Sequence, residues 1–326
     1  SATVPIEDGR GPLPHLQKDY EKVFRSLSRV ELQSGADLEA LDLPNLFAGG
    51  GTENRWLGFY TEEGLRLALE RYGLWDDLAE LGYGRCRLET RCDDPEEHLL
   101  RVWCEVPSLK VAPLIELVVR REVLRPRAEL AENMPDGLVA VLNVEWLQLQ
   151  RPDAPFTRER LPLPGQKYPG LGLGREILEL LRQACKRIGL EGLVTVPSYF
   201  HNAYLYVRDF SYVDPREQGM FLAMCRDLIP QTNGSFAEAS WAVTLGMVTE
   251  EGSEQPFGWF HDVMLAPVSE RLRQYAAANW YQREVAAALS DHGFCVFEKA
   301  LEQELEARGI NPLDTERVAT WIDERV

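Results

Sequence analysis

The chain has no apolar run long enough to span a bilayer, no CxxC pair, no low-complexity segment and no internal repeat. Each absence removes a class. A spanning helix needs about 20 consecutive apolar residues, so no membrane segment is expected. Six cysteines without a CxxC motif do not suggest a zinc ribbon or a redox pair. They fit a reducing compartment, and with no signal-peptide pattern at the N-terminus a cytoplasmic location is expected. Basic residues are also scarce. Thirty-five Lys and Arg stand against 52 Asp and Glu, giving a formal net charge of −17 and a pI near 4.8. Such a field repels nucleic acid and anionic membranes, which excludes both as general partners. It favours a small-molecule amine or a basic peptide as the partner, and it also keeps a protein in solution.

What remains is the composition of a globular protein. The 326 residues are 45% hydrophobic and 27% charged, enough for one large domain or two ordinary ones. One cluster invites a metal reading: Cys86, Cys92, His98 and Cys104 recur every six residues in GRCRLETRCDDPEEHLLRVWCE. That segment reads as a hairpin turning at DDPEE. Cys92 then faces His98, Cys86 faces Cys104, Glu89 faces Arg101 and Leu88 faces Val102. The two candidate pairs would lie about 20 Å apart at roughly 3.3 Å per residue. One zinc ion, with ligands about 2 Å away, cannot reach both. No metal site is expected; the cysteine face should be buried structure.

Helical spacing marks Leu16–Leu32 and Thr61–Leu81, separated by FAGGGTENR, which reads as a flexible loop. Strands follow at about Arg85–Cys92, His98–Val106, Leu114–Leu124 and Leu138–Leu149. The last is apolar on both faces and belongs in the middle of a sheet. A Pro-rich connection, Arg151–Pro169, leads into a helix over Gly174–Ile188, followed by a short buried strand at GLVTVP, a short helix at SYFHNAYLYVRDF and a strand starting at Ser211. In the last third, Trp241–Val248 and Phe257–Leu265 suggest a hairpin around TEEGSEQ. Helices are expected at Ser269–Leu289, Phe294–Ala307 and Asp314–Glu324. Pro230–Ser235 is the candidate linker. This gives an α/β protein in three parts: an N-terminal helical extension over 1–60, a central domain over 61–230, and a mostly helical C-terminal region over 231–326.

The stretch LPLPGQKYPGLGLGREILELL, Leu161–Leu181, places Pro and Gly directly before a regular helix. A helix start leaves about four backbone N–H groups unpaired and partly positive. Glycines there let an anion approach the backbone. The plain alternative is a tight helix start packed on the sheet. No Gly-Lys-Ser/Thr follows, so the loop is not a Walker motif. GxGxxG is not matched and the preceding strands look antiparallel, which disfavours a dinucleotide fold.

The element order, with GLGREIL at Gly172–Leu178 and NAYLYVRDF at Asn202–Phe210, resembles the GCN5-related N-acetyltransferase (GNAT) family over roughly Thr61–Asp227. The resemblance implies a mixed, mostly antiparallel sheet flanked by helices, splayed beside a loop whose amides bind the pyrophosphate of acetyl-CoA or another acyl-CoA. It implies N-acylation of an amine, possible only if that loop is open. Cofactor contacts would fall on Lys167, Gly170, Leu171, Gly172, Leu173, Gly174 and Arg175. The family's Gln or Arg ahead of the glycines aligns with Pro169 or with Lys167, depending on the anchor. Glu145, flanked by Val144 and Trp146, would be the base if partly buried, or else a solvent-facing or cation-paired carboxylate. Tyr206 would be the acid on the leaving thiolate, with Tyr204 as its alternative. His201 is either a base or a structural neighbour of the helix start. Cys185, Cys225 and Cys295 read as ordinary residues. The aromatics Trp241, Phe257, Trp259, Phe260, Tyr275, Trp280 and Tyr281 line a cavity, form a homodimer interface or pack as core. The competing class is a non-catalytic binding or assembly protein with the same fold and no cofactor.

Overall fold

The computed structural model describes residues 13–34, 55–106, 109, 111–157 and 160–310. The loop expected at 47–54 and the helix expected at Asp314–Glu324 lie outside these residues.

The N-terminal helices are shorter than the apolar periodicity suggests, because local chemistry stops them. Helix α1 (Leu13–Ser26) and α2 (Arg29–Gln33) are split at Ser28. The Ser28 hydroxyl accepts from the Glu31 N–H, and the Glu31 carboxylate accepts from the Ser28 N–H at 2.8 Å. This reciprocal cap starts a new helix inside the expected one. Helices α3 (Glu62–Arg71) and α4 (Leu74–Glu80) are likewise divided at Gly73, whose φ of +85° no continuing helix adopts.

Four antiparallel strands follow: β1 (Cys86–Arg91), β2 (Glu97–Cys104), β3 (Ile115–Val123) and β4 (Ala140–Leu149). Cys86 pairs with Cys104, Leu88 with Val102 and Glu89 with Arg101, the register that a turn at DDPEE requires. Leu88, Leu100, Val102 and Cys104 face the core, and the His98 ring accepts the Leu57 N–H at Nδ1 (2.6 Å). On the opposite face, Arg101 pairs with Glu116 and Glu89, and Arg120 with Glu97 and Glu145. One face is thus apolar and covered, the other carries cross-strand ion pairs.

The sheet continues through α5 (Gly174–Ile188) to β5 (Gly192–Thr195), then α6 (Phe200–Tyr206), β6 (Ser211–Tyr212) and α7 (Pro215–Gln231). The seven strands run in the order β1-β2-β3-β4-β5-β8-β6, where β8 is Met264–Pro267. The β4–β5 pair is parallel and the other pairs are antiparallel. The protein is therefore α/β, with a mostly antiparallel sheet flanked by helices and β4 at its centre. The β6 edge is closed by side chains. Gln218 accepts the Tyr212 N–H, the Tyr281 hydroxyl donates to the Tyr212 carbonyl, and the Tyr275 hydroxyl donates to Val213. Those three contacts occupy the main-chain groups a second chain would need.

The last third departs most from expectation. Trp241 lies in helix α8 (Phe236–Thr244), not in a strand. The chain does fold back around TEEGSEQ, with Thr249 bridged antiparallel to Pro256 and the Phe257 N–H donating to the Val248 carbonyl at 2.7 Å, but not through the expected arms: β7 (Val248–Glu250) pairs with β9 (Phe294–Val296), while β8 inserts between β5 and β6. Residues 269–291 form α9 (Glu270–Ala277) and α10 (Asn279–Asp291), and only Glu298–Ala307 of the next expected helix is helical, as α11. At the candidate linker Pro230–Ser235, Pro230 and Gln231 end α7 and Thr232–Ser235 turn directly into α8; Thr232 is 1% exposed and its hydroxyl donates to the Leu228 carbonyl. A single buried cluster runs from Leu27 to Ile310.

Helices α7 and α10 approach closely because Gly219 has no side chain. A Cβ there would sit 2.4 Å from the Val285 carbonyl oxygen and 2.6 Å from the Ala288 methyl. Gly219→Ala should therefore destabilise the fold by about 1–3 kcal/mol in urea unfolding, and a cost near zero would show that this interface slides apart freely.

Candidate functional site

The most unusual part of the sheet is its centre. The β4–β5 ladder covers only Val141, Leu142 and Asn143 against Gly192, Leu193 and Val194. One residue further on, β4 carries a bulge: Val119 faces Val144, Val118 faces Trp146, and Glu145 is the extra residue between them. A bulge bends its strand and increases local twist. Beyond it, β5 stops at Thr195, whose hydroxyl donates to the Val144 carbonyl at 3.0 Å. Among the described residues, the β4 backbone is not paired on that side again until Leu149, whose carbonyl accepts the Leu171 N–H at 3.2 Å. Because that carbonyl points away from β3, strand alternation points the main-chain groups of Leu147 the same way, into the gap. Five residue steps, Val144 to Leu149, give an opening roughly 16 Å long at about 3.3 Å per residue.

The glycine loop closes the upper end of this gap. Gly170 forms a bridge with Gln150, and the Arg151 N–H donates to Pro169 at 2.8 Å. Leu171 and Leu173 turn inward as core residues, while Gly172 is exposed at φ +82°. Gly174 then opens α5, whose Ile177 N–H is bonded to the Leu173 carbonyl. The N–H groups of Gly174, Arg175 and Glu176 precede that first bond and lie at the helix mouth. Glycine is not demanded by crowding here. A Cβ on Gly170 would find its nearest neighbour at 3.8 Å, and one on Gly174 at 3.9 Å, both ordinary contacts. At Gly192 or Gly64 it would strike backbone, at 3.0 and 2.1 Å. A methyl at Gly170 or Gly174 would therefore fit in ordinary contact with Gln166 and Leu149.

The remaining expected residues are placed as follows. Lys167 stands over the Tyr168 ring at 5.4 Å. Arg175 is half-buried, and with Arg182 it offsets the burial that raises the Asp209 carboxyl. Glu145 lies on the ion-paired face, where the Arg120 Nε donates to it at 2.7 Å. It is the cation-paired carboxylate of the two alternatives. Tyr206 ends α6 against Phe210, and burial pushes its phenol up to about 12, so it carries its proton at neutral pH. His201 is 5% exposed, stacked on Tyr199, with Nδ1 and the Ser240 hydroxyl 2.8 Å apart. Burial drives it down to about 4. Among the described residues, no hydrogen bond or ion pair joins Glu145, His201 and Tyr206 to one another. Cys185 is fully buried beside the Gly192 carbonyl, and burial pushes its thiol up to about 12, so it is no nucleophile.

Sequence reasoning missed the lining of the gap. Trp146, beside the bulge, is 50% exposed, and Val196, just past β5, is 44% exposed, so two apolar side chains near the gap face solvent. It also missed two anchors. The Trp241 Nε1–H donates to Pro162 at 2.8 Å, and the Trp259 Nε1–H to Pro197 at 3.0 Å. Both tie the C-terminal third to the segments framing the gap. Two shallow cavities lie elsewhere, one of about 230 Å³ beside Leu124 and Met134, another of about 340 Å³ beside Asp209 and Tyr281. Asp214, Glu217 and Asp262 bring carboxylate oxygens within 4.8 Å of one another. The Arg127 guanidinium lies among them, 3.1 Å from Asp214 and 2.7 Å from Asp262, which accounts for the cluster as an ion-pair hub.

Compared with protein-family models, curated proteins and solved structures, the chain finds no match.

His201 gives a pH test of the buried wall. Its folded pKa of about 4 lies below the ordinary value of 6.5, so the unfolded chain binds the extra proton first. Stability is fully present above 6.5 and is lost as pH falls towards 4. Between pH 7 and 4.5, His201→Gln should lose on the order of 2 kcal/mol less than the wild type in chemical denaturation; equal losses would mean that His201 titrates normally.

Proposed function

We propose that the chain is an acyl-CoA-dependent N-acyltransferase of GNAT-like fold, acting on an amine. The observation that carries this reading is the β4–β5 gap ending at a glycine loop, uncrowded at Gly170 and Gly174, that leads into the start of α5. The spacing before α5 suits a diphosphate. Positive φ at Gly172 turns the chain without a side chain in the way, and the amides of Gly174, Arg175 and Glu176 provide donors beside a partial positive charge. The Leu147 amide, directed into the gap, is suited to polarise a thioester carbonyl. An acyl-CoA would supply the activated acyl group. The attacking amine must be neutral and must then lose a proton; the leaving thiolate must gain one. Tyr206 holds a phenolic proton for that second role. Glu145, on the bulge, is the nearest carboxylate in sequence to the gap, and taking a proton requires it to exchange Arg120 for the amine. His201 is too enclosed by Ser240 and Tyr199 for the base role, so we assign it to the structure.

A second reading has one observation in its favour. Glu145 is engaged by Arg120, which also holds Glu97, and a carboxylate fixed in this way suits a scaffold as well as a base. In that case the fold binds a ligand in the gap without turnover.

Thermal melting with acetyl-CoA tests the enzyme reading against the non-catalytic one. At a hundred times the dissociation constant, bound ligand adds about 2.7 kcal/mol of apparent stability. Wild type should shift and Gly172→Glu, which puts a bulky anion at the loop, should not. A shift with no amine-dependent release of free thiol identifies the non-catalytic reading. No shift at millimolar acetyl-CoA removes the enzyme reading and leaves a non-catalytic fold without this cofactor.

A further inference from the structure

Towards the other end of α5 lies a guanidinium that has no counter-charge among the described residues. Arg121 is on β3, opposite Leu142, with its main-chain N–H donating to Glu96 at 3.1 Å. Its side chain runs beneath the loop Arg55–Tyr60: a Cβ on Gly58 would stand 3.6 Å from Nη2 and 3.9 Å from Nη1. Gly58 has φ +61° and Leu57 before it +54°, so the loop bends sharply over the arginine. Nε is sealed from solvent without a hydrogen-bond partner. Among the described residues, no carboxylate lies within ion-pair distance of this side chain, although the chain has 52 Asp and Glu. The groups around it bring no negative charge. The His98 ring is buried and held neutral by its environment, with Nδ1 committed to Leu57. The Cys185 thiol is raised to about 12 and keeps its proton. The loop itself carries a second unsatisfied donor, the buried indole N–H of Trp56.

Desolvation lowers the arginine's affinity for its proton, yet a guanidinium does not lose it at any ordinary pH. An unpaired charge of this kind is costly, and the cost is relieved by an anion that matches its planar fork. We propose that Arg121, under the Arg55–Tyr60 loop, binds a small oxyanion (a phosphate, sulfate or carboxylate group) at a site separate from the glycine loop.

The test uses the full chain, with inorganic phosphate, sulfate and acetate each compared with chloride at matched ionic strength. Wild type should show a saturable rise in Tm with at least one oxyanion, roughly 2 °C at ten times its dissociation constant. The rise should persist in Gly172→Glu, which closes the glycine loop, and vanish in Arg121→Met. Arg121→Met should also melt higher than wild type in chloride alone, because it removes a sheltered charge. If Arg121→Met does not fold, crystals of the wild type soaked in selenate should show an anomalous peak against the Arg121 guanidinium. A wild-type response equal to that of Arg121→Met, a response lost in Gly172→Glu, or a soaked crystal with no peak at Arg121 would each overturn the proposal.

Discussion

Parallel pairing between β4 and β5 lasts for three residues, and the rest of the molecule is arranged around its ending. A bulge at Glu145 turns β4 away from a strand that is itself only four residues long. Backbone groups released in a sheet centre must be satisfied by something. The protein closes the lower end of the opening with the Thr195 hydroxyl and the upper end with the Leu171 amide, and among the described residues no backbone hydrogen bond to β5 or to the glycine loop is made by the stretch between them. The Pro-rich connection fits the same constraint. It leaves β4 at Arg151 and returns at Pro169 to pair with the strand it left, delivering the glycines to the top of the gap. Tyr83 bonded to Asp153, with Arg151 over the Tyr83 ring, holds the outgoing limb, and Trp241 holds the returning one.

Legibility in the sequence followed the range of the interactions. The β1–β2 register could be read residue by residue, because a turn fixes it and its two strands are adjacent in the chain. β4 could be placed at the sheet centre from its apolar faces alone. The divisions at Ser28 and Gly73 were missed because a local cap and a left-handed glycine override an apolar period that continues through both. β8 could not be placed, since its partners, β5 and β6, lie more than fifty residues away in sequence and nothing local distinguishes an inserted strand from one arm of a hairpin. Trp241 reads as a strand residue by propensity but lies in a helix capped by Ser235.

The candidate site divides in the same way. The glycines before α5 were visible as a composition, but whether they relieve crowding or leave a space depends on neighbours that are distant in sequence. Gly170 and Gly174 turn out to have room for a methyl, while Gly64 and Gly219 do not. Glu145 could be picked out by type and position, but not its partner Arg120, which lies on the adjacent strand. His201 was ambiguous between base and structure, because the Ser240 hydroxyl that meets its ring lies 39 residues further on, in α8, and only the Tyr199 ring is a sequence neighbour. Arg121 carried no signal at all. Its neighbour Arg120 is identical in type and holds several carboxylates, and strand alternation alone sends one to the ion-paired face and the other under a loop.

That contrast bears on how so acidic a chain handles anions. A formal charge of −17 sets the long-range field, and that field opposes any phosphate approaching from solution. At short range the sum is irrelevant, because screening over about 10 Å leaves only the nearest groups. Two places near the ends of α5 depart from the acidic background by different means. At its start, backbone amides supply positive character that no titratable group provides or removes. Near its end, the Arg121 guanidinium, which comes from β3, has no carboxylate partner among the described residues, held as it is between a strand face and a tight loop. On the two proposals made above, an anion would be held by donors fixed in the fold rather than by charge balance. The acidic surface would then oppose polyanions such as nucleic acid more strongly than a compact oxyanion small enough to reach those donors.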